Sequence, residues 1–269
     1  MNITFIGGGN MADALVGGLL RKGFPAAGLR AVEINADARA KLAQKYGIDC
    51  MERAPAARAD EIIVFAVKPQ QMREAASVAG LAVNANLVIS IAAGITLASL
   101  SRWLGGHRRL VRAMPNTPAL IGEGVTGLHA MDKVTGEDRQ RSEAILGAVS
   151  SSVWIENEAL MDAVTAVSGS GPAYVFYFIE AMEEAAKQLG LTGPTARKLA
   201  IETFTGAARL ASDSTDPVGM LRARVTSKGG TTEAALASME TDQVGQAIVR
   251  AIHKANQRGR ELGEQLDKG

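Results

Sequence analysis

Cysteine is nearly missing from this chain of 269 residues: Cys50 stands alone, which excludes an intrachain disulfide and any metal site built from clustered cysteines. Histidine is scarce too. None of His107, His129 and His253 lies in a motif, so a reaction that leans on an imidazole acid–base has no evident carrier. Aromatics make up 4% of the chain, and four of them, Tyr174, Phe176, Tyr177 and Phe178, crowd into one short stretch. The formal net charge is only +1, which gives no bulk attraction to nucleic acid or an anionic membrane. The longest apolar runs, such as IIVFAV at 62–67, suit buried strands and are far too short to span a bilayer. The N-terminus passes straight into strand-like residues without a basic leader, so no secretory signal is expected and the cytoplasm is the expected compartment. What is present is 47% hydrophobic residues, the profile of a globular protein with a full core.

Through about residue 157, short Val/Ile-rich runs alternate with amphipathic stretches. NITFI (2–6), LRAVE (29–33), EIIVFAV (61–67), NLVISIA (86–92) and RLVRAM (109–114) read as strands. GEGVTGLHA (122–130) and SSVWIE (151–156) add further strand candidates. MADALVGGLLRKG, ADARAKLAQKYG, PQQMREAASVAG and TLASLSRWLG read as helices that end at glycine. Strand and helix in alternation predict an α/β domain, a doubly wound and mainly parallel sheet over residues 1–157. After 157 the strand signals stop, and the breaks LTGP, DSTDP and VTSKGGTT separate helical segments, so residues 158–269 are expected to form an all-helical domain.

FIGGGNMADAL carries Gly7-x-Gly9-x-x-Ala12 directly after a strand and directly before a helix. The pattern alone is weak, but its context and an acid, Glu33, at the end of the second strand meet the dinucleotide-binding fingerprint. Gly7 permits the turn, Gly9 lets backbone approach a pyrophosphate, and Ala12 lets helix and strand pack closely. Helix-opening N–H groups then meet the phosphate charge. The bland alternative is a tight turn in a flavodoxin-like fold without ligand. Glu33 suits the ribose 2′-hydroxyl and repels a 2′-phosphate, and neither Ile34 nor Asn35 offers a guanidinium, so these residues by themselves lean to NAD(H).

AVKPQ (66–70) ends the third clear strand at the carboxyl edge, where doubly wound sheets bind ligands. Lys68 is therefore expected near the cleft, with a plain surface lysine as the alternative. In RAMPNTPAL (112–120) two prolines stiffen the loop that carries Asn116 to the same edge, unless that loop is only a structural corner. SGSGPAY (168–174) is bare and tight but is not a nucleophile elbow, since Ser168 stands where glycine is needed; a close packing contact is the plainer reading.

Taken together, GGGNMA, AVKPQ, RAMPNTPA, EALMDAVTAVSGSGPAY and PVGMLRARVTSKGGTTEAAL resemble the pyrroline-5-carboxylate reductase family over nearly the whole chain. The resemblance implies a Rossmann domain, an all-α dimerisation domain, and reduction of Δ1-pyrroline-5-carboxylate to L-proline, the last step of proline synthesis. It implies NADP(H) as cofactor, with NAD(H) also accepted, and no metal. The cofactor contacts it implies are Gly7, Gly8, Gly9, Asn10, Met11, Ala12, Glu33, Ala66, Val67, Lys68, Pro69 and Asn116. Glu158 matches a family acid near the cofactor and is a weaker candidate. The chain departs from the family at Ile34, where a basic or small polar residue is common, and at Lys228, where proline is common.

The substrate is expected on the loop 227–232. Helix-opening N–H groups of Gly229, Gly230, Thr231 and Thr232, beside Ser227, can face one carboxylate, and a simple helix start is the alternative. By resemblance, the Thr232 hydroxyl contacts the pyrroline nitrogen, and Thr232 and Lys68 are the candidate catalytic residues. A cyclic imine arriving as an iminium has less need of a histidine than an alcohol has, which suits this composition. The rival enzyme is a β-hydroxyacid dehydrogenase-like oxidoreductase using Lys228; the rival outside catalysis is an NAD(P)-binding sensor or scaffold. The helix 172–190 opens apolar on all sides and is expected to be buried in an obligate homodimer, which the family extends to a larger ring.

Overall fold

The computed structural model describes residues 1–58, 60–79, 83 and 85–268. By compactness it separates into two units, Met1–Ser170 together with the chain from Ala255 on, and Gly171–Lys254.

In the first unit, β1 (Asn2–Ile6), α1 (Asn10–Arg21), β2 (Leu29–Val32), α2 (Ala36–Tyr46) and β3 (Asp49–Met51) run in order. β4 (Glu61–Phe65), α3 (Met72–Ala79), β5 (Leu87–Ser90), α4 (Leu97–Trp103) and β6 (Leu110–Met114) follow. β7 (Gly124–Ala130), α5 (Gly136–Leu146), β8 (Ser150–Trp154) and the short α6 (Met161–Val164) complete this stretch. Among the described residues the strands form one eight-stranded sheet in the order β3-β2-β1-β4-β5-β6-β7-β8. Every pairing is parallel except β6 with β7, so the expected mainly parallel sheet is present.

The apolar runs have no polar alternation because both faces of the sheet are covered. Ile3, Phe5, Ile62, Val64, Leu87 and Ile89 pack on one side with Leu15 and Leu19 of α1. The residues between them, such as Ile63, Phe65 and Val88, pack on the other side with Met72 of α3 and Leu97 and Leu100 of α4. Gly80, expected to close the helix after Pro69, lies outside the described residues. β3 and α5 carry no expectation above: β3 has three residues, and α5 is polar along most of its length. The expected division at 157/158 follows the loss of strand signals, whereas packing keeps α6 with the sheet: a Cβ on Gly127 of β7 would stand 2.6 Å from Val164.

At the amino ends of the central strands lies a buried polar knot. Glu61 accepts hydrogen bonds from Thr4 Oγ1 at 2.6 Å, Arg30 Nη2 at 2.6 Å and the Arg58 N–H at 2.9 Å. Burial pushes the Glu61 carboxyl up, but Thr4, Arg30 and the Arg58 N–H outweigh it and hold the group below the usual carboxylate range.

The second unit contains α7 (Gly171–Gln188), α8 (Gly193–Asp213), α9 (Val218–Arg224) and α10 (Thr231–Thr241). α11 (Val244–Lys268) begins there and ends in the first unit. Phe178 of α7 and Phe204 of α8 have ring centroids 6.4 Å apart. The apolar opening of α7 is not covered within the chain: Phe176 is 61% and Tyr177 72% exposed. No described helix is long and apolar enough to cross a membrane.

Candidate active site

The strand order reverses between β1 and β4, and the ends of both strands converge at that switch point. The Gly7 N–H donates to Val32 O at 2.8 Å and the Ala66 N–H to Ile6 O at 2.8 Å, so backbone bonds bring the glycine loop, the end of β2 and the Ala66–Pro69 turn together. Gly7 has φ +103°, and a Cβ there would lie 2.8 Å from Ala66 O. Only glycine fits. Gly9, by contrast, has open space on that side, with nothing within 4 Å of its would-be Cβ. It is the N-cap of α1 and no side chain caps that helix, so the N–H groups of the first turn are free of side-chain acceptors. An uncapped helix N-terminus above an open glycine fits a dinucleotide pyrophosphate.

Beside this loop is a cleft of about 500 Å³ lined in part by Gly7, Val32, Glu33, Ile34, Arg53 and Val67. The Glu33 carboxylate does not stand free in it: it accepts the Gly8 N–H at 2.8 Å and the Asn35 N–H at 2.8 Å. Arg53, which sequence reasoning passed over, reaches the cleft because β3 pairs with β2.

Lys68 is exposed and precedes the short 3-10 turn Pro69–Gln71, as an extended residue with ψ 148°. Asn116 is buried, and its amide is committed at both ends, accepting the Val125 N–H at 2.9 Å and donating to Ser168 O at 3.2 Å. That bond ties the proline-stiffened loop to a π-helical turn at Thr165–Gly169, where a Cβ on Gly169 would sit 2.6 Å from Met114 Cε. The Ser168 hydroxyl donates to Val164 O at 2.9 Å, in keeping with a packing role. Glu158 accepts the Leu97 N–H at 2.7 Å at the mouth of α4 and Arg112 Nη1 at 3.2 Å. Arg112 reaches Asp162 as well, at 3.3 Å, a network without a sequence signal because its members lie on three separate elements. His107 and His129 each bond a backbone carbonyl, of Asn86 and Ile155. Burial pushes the lone Cys50 thiol up, away from thiolate chemistry.

In the second unit, α9 and a turn lead to α10, whose N-cap is Gly230, without a side-chain cap. Of the four N–H groups expected to face an anion, two have partners. The Gly229 N–H donates to Glu233 Oε2 at 2.6 Å, and the Gly230 N–H to Ser227 O at 3.0 Å. Those of Thr231 and Thr232, in the first turn of α10, have no such side-chain partner.

Comparison with known proteins bears on both units. Residues 158–262 match the family described as pyrroline-5-carboxylate reductase dimerisation, and residues 2–94 match NADP oxidoreductase, coenzyme F420-dependent. A pyrroline-5-carboxylate reductase of Pseudomonas aeruginosa is 46% identical over 266 residues, 98% of this chain and 97% of the relative. The solved pyrroline-5-carboxylate reductase of Coxiella burnetii superposes with a TM-score of 0.91 at 39% identity, covering 97% of this chain and 98% of that one. The pyrroline carboxylate reductase of Plasmodium falciparum, solved with NADP bound, superposes at 0.86 with 27% identity over 98% of each chain.

Proposed function

The chain belongs to the pyrroline-5-carboxylate reductase family, and we propose from that premise that it reduces Δ1-pyrroline-5-carboxylate to L-proline with NADP(H). The reading is supported most by the uncapped α1 N-terminus above open Gly9 at the sheet's switch point. Gly7 to Gly9 and the N–H groups of Asn10, Met11 and Ala12 hold the pyrophosphate. Glu33 stands at the adenosine ribose. Ala66, Val67 and Pro69 shape the turn beside it, and Lys68 adds positive charge at that edge. Asn116 acts on the cofactor edge by fixing its loop rather than by a free amide. Glu158 orients the mouth of α4 through the Leu97 N–H.

When bound, NADPH supplies the hydride that reduces the imine carbon. The chain's part is orientation and charge. The N–H groups of Thr231 and Thr232 hold the substrate carboxylate at the positive end of α10. The Thr232 hydroxyl meets the ring nitrogen, which arrives protonated and keeps its proton as the neighbouring carbon is reduced. Ser227 and Gly229 shape the loop through the Gly230 N–H and the Glu233 carboxylate. Residues 1–157 serve the cofactor and 158–269 the substrate and the dimer, in the cytoplasm, with dimers assembling into a ring. The deciding assay follows NADPH and NADH oxidation with pyrroline-5-carboxylate; no turnover with either, on protein that binds NADPH, overturns the reading in favour of a sensor.

A further inference from the structure

We propose that Arg53 holds the 2′-phosphate of NADP(H) and thereby sets the balance between NADP(H) and NAD(H), an inference that rests on the cofactor reading above. β2 and β3 run parallel with Val32 opposite Met51, and the Glu33 N–H donates to Met51 O at 2.9 Å. The residues that follow, Glu33-Ile34 and Glu52-Arg53, therefore leave the sheet side by side at its carboxyl edge, on strands about 4.8 Å apart. All four line one cleft.

An acid at Glu33 marks the ribose hydroxyl edge and by itself opposes a phosphate there. Its carboxylate, however, is turned onto the Gly8 and Asn35 N–H groups. Arg39, the other guanidinium nearby, donates to the carbonyls of Glu33 at 2.7 Å and Ile34 at 3.3 Å and faces Glu52 at 3.8 Å. Arg39 is committed. Arg53 is the one cationic side chain among the described residues lining the cleft, and it has no hydrogen bond or ion pair among the described residues. Glu52 and Glu74 line the cleft with Glu33, so a 2′-phosphate bound without Arg53 would face three carboxylates and no cation among the described lining residues. A guanidinium fork is the group that matches a phosphate in two parallel hydrogen bonds.

Titration calorimetry of the full-length protein with 2′,5′-ADP and 5′-AMP tests this without turnover. Arg53→Ala should weaken 2′,5′-ADP by roughly tenfold or more, the loss of hydrogen bonds to a charged group, and leave 5′-AMP within about twofold. Arg53→Lys should recover part of the loss, since an ammonium keeps the charge but not the fork. Unchanged 5′-AMP affinity also reports an intact fold. Equal weakening of both nucleotides, or no weakening of 2′,5′-ADP, overturns the proposal. Failure of the wild-type protein to bind either nucleotide overturns the cofactor reading itself, and Arg53's role with it.

Discussion

One carboxylate, one threonine and one glycine carry the single-residue tests of this enzyme. Glu33 is half-buried and bonded to two backbone N–H groups, of Gly8 in the glycine loop and of Asn35 in its own, so its carboxylate is held in place beside the cleft. A like charge near a 2′-phosphate at a surface costs ~1 kcal/mol, roughly fivefold. Glu33→Ala should therefore raise the kcat/KM ratio of NADPH over NADH by about that factor. Both absolute values should fall somewhat, as the Gly8 N–H loses its acceptor. An unchanged ratio would remove Glu33 from the ribose site. On the substrate side, Thr232→Ala removes a hydrogen bond to a charged group and should lower kcat/KM for pyrroline-5-carboxylate by roughly 10- to 150-fold, with NADPH binding intact. Gly230→Val should be worse, and the reason is local. A Cβ on Gly230 would stand 2.6 Å from Ser227 Oγ and 3.0 Å from Ser227 O, while φ there is an ordinary −88°; the positive φ belongs to Gly229. Loss of NADPH affinity in Thr232→Ala, or retained kcat/KM, would leave the loop as helix punctuation. Gly7, Gly9 and Ala12 were legible in the sequence because strand, turn and helix sit together there. Glu233, three residues past the cap, had the spacing of a capping partner. Arg53 had no signal, because its place depends on a strand of three residues.

Elements are held by what their ends bury. β1, β2 and β4 were legible as strands because both faces of each are covered, which leaves a continuous apolar run. The knot that joins them was not, since Thr4, Arg30 and Glu61 come together only once the strand order is known. The order itself, with β7 antiparallel to β6, carries no local signature. α5 was missed because it is mostly polar, although Thr135 and Asp138 form a capping box at its start. The Arg30–Glu61 pair is buried, so removing one partner leaves an uncompensated charge. Glu61→Ala should cost about 3–5 kcal/mol of stability, read from denaturant unfolding. The pair also sets a pH response. With its folded pKa below the unfolded one, Glu61 contributes stability that is present above the unfolded value and is lost as pH falls through the folded one. Asp138 behaves alike: burial raises it, but Arg109 and Thr135 outweigh burial and hold it below its ordinary value. Melting temperature should therefore drop on acidification below the usual carboxylate range, and less steeply in Glu61→Ala than in the wild type. Parallel pH curves for the two proteins would show that the knot does not titrate as its geometry requires.

At the scale of the whole molecule, the second unit is the part that cannot stand alone. Among the described residues of 171–254, the buried apolar side chains are Ala196 and Ala200. Neither fills a core. Meanwhile Phe176, Tyr177, Leu199, Leu210 and Val249 are all more than half exposed in the single chain. Helices of this length hold together in water mainly through tertiary burial, and two alanines provide almost none. Residues 158–262 match the family's dimerisation domain, and a second copy is the cover that such a domain calls for. The aromatic run at the start of α7, expected from sequence to be buried, is then covered by association rather than by its own chain. An obligate interface of this kind buries roughly 2,000–5,000 Å² and leaves no stable folded monomer. Phe176→Asp places a charge on that apolar face. It should turn the dimer into a species sedimenting as monomer, with helical signal falling because the second unit loses its cover. The first unit keeps its own core, so Phe176→Asp should retain 5′-AMP binding while losing reductase activity. Sedimentation velocity across a hundredfold range of concentration reads the outcome. A wild-type protein that stays monomeric throughout with full activity, or a Phe176→Asp protein that remains assembled, would show that something other than a second copy covers these helices.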